Sequence, residues 1–476
     1  MEPGVVMTKH TAVYVQGSVL RHITSLSLTS AVGLFSIFLV DLVDVFFISI
    51  LGEPELAAAV GFAGVGLFLG AAITIGLSIA ISTLVAQFLG ADDEAAARRL
   101  AMHGLVYTLF WTIPVTLLML WYAPELLSML GAGGQTLDLA VGYFRIVGAS
   151  LPVLGIGMAA SSLLRAVGDA RMSMWSTVLG GIINAIADPI LIFGLGMGLT
   201  GAAIASVIAR AMVAGVALYA IVYRHKLLSK PQWPLMWADI KQLNVIAIPS
   251  LITNLSAPLS AGFATFQMAR FGTEAVAAAS VIGRITPVAF AGLYGLSGAV
   301  GPVASQNVGA GEFHRVRQSL TASALFVVVY VIPVAVLLFL LQPWLASLFG
   351  LSEQAASLLR FYTNFIVISY LLFGLQLAAN PLFTALRHPG LATLSNMIRD
   401  VVLAVPLIFA CAGWFGAEGV LAGQAIANAM AGILAFAGAL WLTAQVERGG
   451  SLELMHGKHR WHFHRHVVPG VQHRGH

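Results

Sequence analysis

Twelve stretches of apolar sequence, each long enough to cross a bilayer and nearly free of charge, leave this chain few ways to fold. They fall at approximately 20–50, 57–89, 97–122, 137–164, 171–195, 199–223, 243–269, 274–308, 316–341, 355–386, 390–413 and 417–445. About twenty such residues span the hydrocarbon core as a helix. Backbone polar groups find no water there, so only helices and closed barrels can span it, and runs this long and continuous favour helices. With 9% charged and 59% hydrophobic side chains, the chain is far from a soluble globular protein, where charged residues approach a quarter. It is expected to be an all-α integral membrane protein with twelve transmembrane helices.

Lys and Arg fall on one side of this pattern. The N-terminal segment, alternate loops (Arg98, Arg99; Arg165, Arg171; Arg224, Lys226, Lys230, Lys241; Arg315, Arg317; Arg387) and the tail hold eighteen of the 24, while the opposite loops hold Arg270 and Arg360. By the positive-inside rule both termini should be cytoplasmic, as an even number of spans requires, in the inner (plasma) membrane. The net charge of +4 then orients the chain and implies no nucleic-acid partner. The single cysteine, Cys411, excludes a disulfide framework or a metal cluster built from cysteines. The N-terminus lacks a short apolar core ending at a small-residue cleavage site, so no signal peptide is expected.

The chain also repeats itself. A shift of 219 residues superposes Glu55 on Glu274, Gly64 on Gly283, Gly76-Leu77-Ser78 on Gly295-Leu296-Ser297, Gln87 on Gln306 and Gly90-Ala91 on Gly309-Ala310. About twelve of the 37 positions from Glu55 to Ala91 match. Ala and Gly abundance inflates that figure but does not explain the matched Glu and Gln. Two copies of a six-helix unit offset by an even number of spans make parallel repeats, related by a pseudo-two-fold axis along the membrane normal, with the substrate path between them. The expected organisation is a cytoplasmic N-terminal segment (1–19), an N-lobe of spans 1–6 (20–223), a cytoplasmic linker (224–242), a C-lobe of spans 7–12 (243–445) and a His-rich cytoplasmic tail (446–476).

Ionisable groups inside a bilayer are costly and are functional candidates by default. Asp41 and Asp44 lie three residues apart in span 1, and Asn184 lies one turn before Asp188 in span 5. Two helices could thus share a proton between carboxylates, because desolvation and a like-charged neighbour both favour a bound proton. The alternative is an aspartate facing a water-filled vestibule or capping a kinked helix. Asp400 directly follows Arg399 and reads as half of an ion pair or as an interfacial residue.

The segment Asp41-Leu-Val-Asp44-Val-Phe-Phe-Ile-Ser-Ile-Leu-Gly52, followed by Glu55-Leu-Ala-Ala-Ala, resembles the first-helix signature of the multidrug and toxic compound extrusion (MATE) family. Leu163-Leu-Arg-Ala-Val-Gly-Asp-Ala-Arg171, Asn184-Ala-Ile-Ala-Asp188-Pro189-Ile-Leu-Ile-Phe193 and Gly201-Ala-Ala-Ile-Ala-Ser206 extend the likeness, which covers essentially the whole chain. The resemblance is to the prokaryotic DinF-like branch. It implies that Asp44 is the first-helix acid used for cation coupling, with Asn184 and Asp188 as its partners. Tyr143 stands where that branch often has a tyrosine facing the same cavity, and Ser206 where a threonine is common. The carboxylates that the NorM-like branch places in helices 7 and 10 are missing, since only Phe263, Gln267 and Gln376 stand nearby.

Other signals have plainer readings. Gly295-Leu296-Ser297-Gly298 matches the G-x-S-G of intramembrane serine proteases, but no later span carries the histidine such a serine needs, and the recurrence at Gly76 makes it a repeat feature. No enzyme is expected. The histidine-rich tail is readable as a weak metal binder or, better, as a basic segment near anionic lipid. Met158, Met197, Met212, Phe263 and Phe266 are candidates to line a cavity for flat apolar cations. The expected protein is therefore a monomeric antiporter exporting lipophilic or cationic compounds by alternating access, coupled to protons, with sodium as the competing ion. Membrane lipids surround it, and no organic cofactor or resident metal is implied. A flippase for lipid-linked precursors, built on a related two-lobe plan, is the alternative; it should line its path with arginines, and only Arg145, Arg210, Arg284 and Arg399 lie within spans.

Overall fold

The computed structural model describes residues 12–51 and 54–448, with the side chains of Asp41, Leu42, Val45, Ser49 and Pro54 outside that description. Every regular element among the described residues is helical. Span 1 is Val19–Ile50, span 2 Pro54–Gly90 and span 3 Glu94–Trp121. Span 4 is a bent pair, Gly134–Ala149 and Leu151–Ala166, meeting at 45°. Span 5 is Ala170–Pro189, prolonged by a wider turn over Ile190–Gly194, and span 6 is Gly198–Tyr219. Span 7 runs Trp233–Ala269, and span 8 is a second bent pair, Thr273–Ala289 and Ala291–Gly309, at 47°. Span 9 is Phe313–Leu348, and span 10 is Glu353–Ala385 with an irregular turn between Tyr362 and Ser369.

The final helical stretch, Pro389–Glu447, is far too long for one crossing. It reverses at Gly416, whose φ of 63° and ψ of −139° suit only glycine. A Cβ on Gly419 would meet the Cys411 carbonyl oxygen at 2.0 Å, so the two arms lie back to back and form spans 11 and 12. Counting each bent pair as one span and the final stretch as two, twelve crossings result among the described residues, as expected. Side-chain caps start several helices: Asp93 accepts from the Ala96 amide and Asp169 from the Met172 amide.

Large apolar residues cover the outside; Phe110 and Trp414 are two of many. That is the surface a lipid-facing bundle presents. Between the lobes, contact is made through glycines matched by the repeat. A Cβ on Gly76 of span 2 would sit 3.0 Å from the Leu251 nitrogen of span 7, and one on Gly295 of span 8 would sit 2.5 Å from the Ser27 oxygen of span 1. The protease-like Gly-Leu-Ser is thus a pair of symmetry-related helix crossings, in which the glycine permits backbone contact. The irregular turn of span 10 also follows the symmetry, since Tyr362 falls on Tyr143 at the 219-residue shift and span 4 bends just beyond Tyr143.

The start of span 7 differs most from expectation. Span 7 begins at Trp233, inside the segment read as linker. Asp239 is buried there because Arg99 Nε donates to it at 3.0 Å and His103 Nδ1 lies 2.7 Å away, while the Gln232 amide donates to His103 Nε2. These bonds hold the start of span 7 against span 3.

Candidate functional site

Spans 1 and 5 run side by side in the same direction, and small residues set their spacing. A Cβ on Gly33 would touch Thr177 at 3.6 Å, and one on Gly181 would meet Ser36 Oγ at 2.5 Å and Val40 Cγ2 at 3.1 Å. One turn beyond Val40 lies Asp44, and one turn beyond Gly181 lies Asn184. The Asn184 amide nitrogen donates to Asp44 Oδ1 at 3.1 Å and to Asp188 Oδ2 at 2.9 Å, so one side chain links both carboxyls. Asp188 is fully buried, and its other oxygen, Oδ1, makes no hydrogen bond to the protein. The Asp44 carboxyl stands next to it.

Two carboxyls so close in a low-dielectric interior repel when both are ionised, and one shared proton removes the repulsion. A sodium ion would use the same oxygens but needs several at once. Among the described residues, no group of three His, Cys, Asp or Glu side chains is placed to hold a metal ion.

Tyr143, on the first half of span 4, is buried beside Ser206 of span 6, and its hydroxyl feels the charges of Asp44, Asp188 and Arg210. Arg210 belongs to the same neighbourhood, although sequence reasoning treated it only as an in-span cation. Its Nη1 donates to the Val147 carbonyl and the Ser150 hydroxyl, both at 2.9 Å. Those groups lie at the bend of span 4, where helical carbonyls are left over and a cation is favoured. The signal was available: an arginine in an apolar span must find such a partner.

The other sequence candidates are more dispersed. Asp41 lies on span 1 one turn before Asp44, but its side chain is outside the description. Met158 of span 4 accepts a hydrogen bond from the Thr74 hydroxyl at 3.1 Å. Met197 is exposed at the turn before span 6. The histidine-rich tail lies outside the described residues.

The C-lobe has no equivalent carboxylate pair. Phe263 stands where Asp44 would fall at the 219-residue shift. Arg399 instead forms a two-pronged ion pair with its neighbour Asp400 (Nε–Oδ1 2.7 Å, Nη2–Oδ2 3.0 Å) and donates to Gln376 Oε1 at 3.2 Å. Ser256 donates to Asp400 at 2.6 Å, Gln376 to Ser395 at 2.8 Å, and the guanidinium lies 5.1 Å over the Phe373 ring. Of the two readings the sequence left open for Asp400, the ion pair is the one formed. Asp400 is thus held by a cation and a hydroxyl.

The MatE family description matches residues 30–190 and 249–410, two segments whose starts are separated by the same 219 residues as the internal repeat. The FAD transporter of Shewanella oneidensis is 30% identical over 426 residues, covering 87% of this chain and 93% of that one. The multidrug export protein MepA of Staphylococcus aureus is 22% identical over 422 residues, 86% of this chain and 91% of its own. A mutant of the Vibrio cholerae MATE transporter VcmN superposes with a TM-score of 0.85 at 25% identity, covering 91% of this chain and 98% of that one. A multidrug resistance MATE family transporter in an outward-facing conformation superposes with a TM-score of 0.85 at 23% identity, covering 94% and 100%. With most of both lobes matched by the family description and the two-lobe fold shared, this chain belongs to the MATE family of membrane transporters.

Proposed function

We propose that this MATE transporter is a proton-coupled antiporter that exports lipophilic or cationic compounds across the bacterial inner membrane by alternating access, working as a monomer with both termini in the cytoplasm. The observation that carries the proposal is the single amide of Asn184 joined to Asp44 and Asp188, beside a buried Asp188 oxygen with no hydrogen bond. In this reading Asp44 and Asp188 take up a proton from outside, which releases substrate, and lose it inside, which lets the next one bind. Asp41 supports the same site, and Tyr143, Ser206 and Met158 line the adjoining cavity; Met197 serves at its mouth. One charge crossing about 100 mV supplies about 2.3 kcal/mol, before any pH gradient is added. Replacing Asp44 by Asn keeps the shape but cannot release a proton. Dye extrusion at the normal rate from cells carrying Asp44→Asn would refute the assignment.

A flavin dinucleotide is the second reading of the substrate. It is favoured by the relative named as an FAD transporter. Uptake of flavin and of a cationic dye into the same inverted vesicles, each competing with the other, separates the two. A flippase is less favoured, because Arg210 and Arg399 are both engaged in internal bonds.

A further inference from the structure

We propose that Gln87 and Gln306 form a reciprocal latch between the lobes, positioning residues that hold the transport path closed at the end bearing the basic loops. The proposal rests on the alternating-access reading above, and its test is independent of which ion or substrate is moved.

Gln87, near the end of span 2 in the N-lobe, donates its amide to the Ala385 carbonyl of the C-lobe at 2.8 Å. Gln306, near the end of span 8 in the C-lobe, donates to the Ala166 carbonyl of the N-lobe at 2.7 Å. The donors are 219 residues apart and so are the acceptors, so the repeat axis applies one bond twice. Ala385 and Ala166 end spans 10 and 4, where a helix has carbonyls without intrahelical partners. Both glutamines are buried.

Three residues beyond each glutamine stands a glycine in close contact with the opposite lobe. A Cβ on Gly90 would lie 1.9 Å from the Gln306 carbonyl oxygen, and one on Gly309 would lie 1.9 Å from that of Gln87. Spans 2 and 8 therefore touch backbone to backbone, leaving no passage between them.

The N-terminal segment seals one side of this contact. The Tyr14 amide donates to Gln306 Oε1 at 2.8 Å and its hydroxyl to the Arg165 carbonyl at 2.8 Å. Its carbonyl accepts from Asn307 at 3.2 Å and Arg315 at 2.9 Å. Burial pushes the Tyr14 hydroxyl well above the ordinary tyrosine value, so it remains a donor at any working pH. All the bonds between the glutamines and the opposite lobe are neutral, and water can replace them when the lobes part. A latch of this kind biases the two states without freezing either.

The test places a cysteine at Ser305, buried beside the latch, in a Cys411→Ala background and measures its alkylation rate in detergent without substrate. Gln87→Ala and Gln306→Ala are each expected to raise the rate about fivefold, and the double variant roughly 25-fold, if the bonds act independently. Spin labels at Ala95 and His314, exposed sites related by the same shift, distinguish lobe separation from local loosening. The double variant should gain a longer-distance population absent from the parent. Unchanged alkylation in both single variants, or faster alkylation with no longer distance in the double, would overturn the latch; where the double does not fold, the single variants decide. Alkylation and distance are read without substrate or any ion gradient, so failure of the latch shows in these two readouts and failure of the coupling assignment in transport.

Discussion

The amide nitrogen of Asn184 lies 3.1 Å from Asp44 Oδ1, which ties span 5 to span 1 at the depth where the buried Asp188 completes the group. Because the same amide also reaches Asp188, Asn184 positions the carboxyls. Asn184→Ala should leave the protein folded but reduce gradient-driven transport and shift its pH optimum, while Asp44→Asn should reduce it to the level of empty vesicles. Efflux across a pH series, with size-exclusion profiles as the folding control, checks both; an unchanged pH profile in Asn184→Ala would exclude the positioning role.

Arg210 ties down the bend of span 4. Arg210→Met removes the donor to the Val147 carbonyl and the Ser150 hydroxyl, and leaving buried polar groups without that partner costs about 1–3 kcal/mol. Thermal unfolding in detergent should show a clear loss of stability, only partly restored in Arg210→Lys. A melting temperature equal to the parent's would mean that the bend holds without this cation.

Asp169, in the loop before span 5, carries the pH dependence that is easiest to isolate. The His225 hydrogen bond, opposed by burial and helped by the Met172 amide and the Arg224 and His225 charges, holds its carboxyl below the ordinary value of 3.8. A depressed carboxyl stabilises the fold above its unfolded value and loses that contribution as pH falls through the folded one. Asp169→Ala should therefore cost about 1 kcal/mol at neutral pH, largely from the lost helix cap. The difference from the parent should shrink below roughly pH 4, as the carboxyl protonates. A gap that persists or widens in acid would contradict the assignment.

Two kinds of glycine are separated by what a Cβ would meet. Gly432 of span 12 faces the Leu372 carbonyl of span 10, where a Cβ would lie 1.9 Å from the oxygen. Gly432→Ala should destabilise the C-lobe severely. Gly64 and Gly283, matched by the repeat, have nothing within 4 Å. Alanine there should be neutral or slightly stabilising, since it restores helix propensity. Thermal melts of the three variants give the comparison.

Much of this architecture is readable in the chain, for identifiable reasons. The 219-residue shift exposed the lobes because Gln87, Gln306 and the paired glycines each have a symmetric backbone to meet. Asn184 and Asp188 are one turn apart, so their adjacency follows from helix geometry. That Asp44 joins them does not, because no periodicity says which span lies beside which; the family resemblance supplied it. The turn at Gly416 stood out between two apolar runs. The bends of spans 4 and 8 did not, since Gly and Pro occur throughout these helices and only the surroundings decide where one breaks. At span 8 Tyr330 spans the break, donating to Ala289 and accepting from Gly292. Arg210 was missed as a site residue because a long side chain acts far from its own helix position.

Proton coupling at Asp44 and Asp188 is the central claim, and transport into sodium-free proteoliposomes under an imposed pH gradient tests it most directly. The parent protein should drive substrate uptake that Asp44→Asn and Asp188→Asn abolish, with no further stimulation by sodium. No uptake under the pH gradient, with uptake restored by a sodium gradient alone, would contradict it.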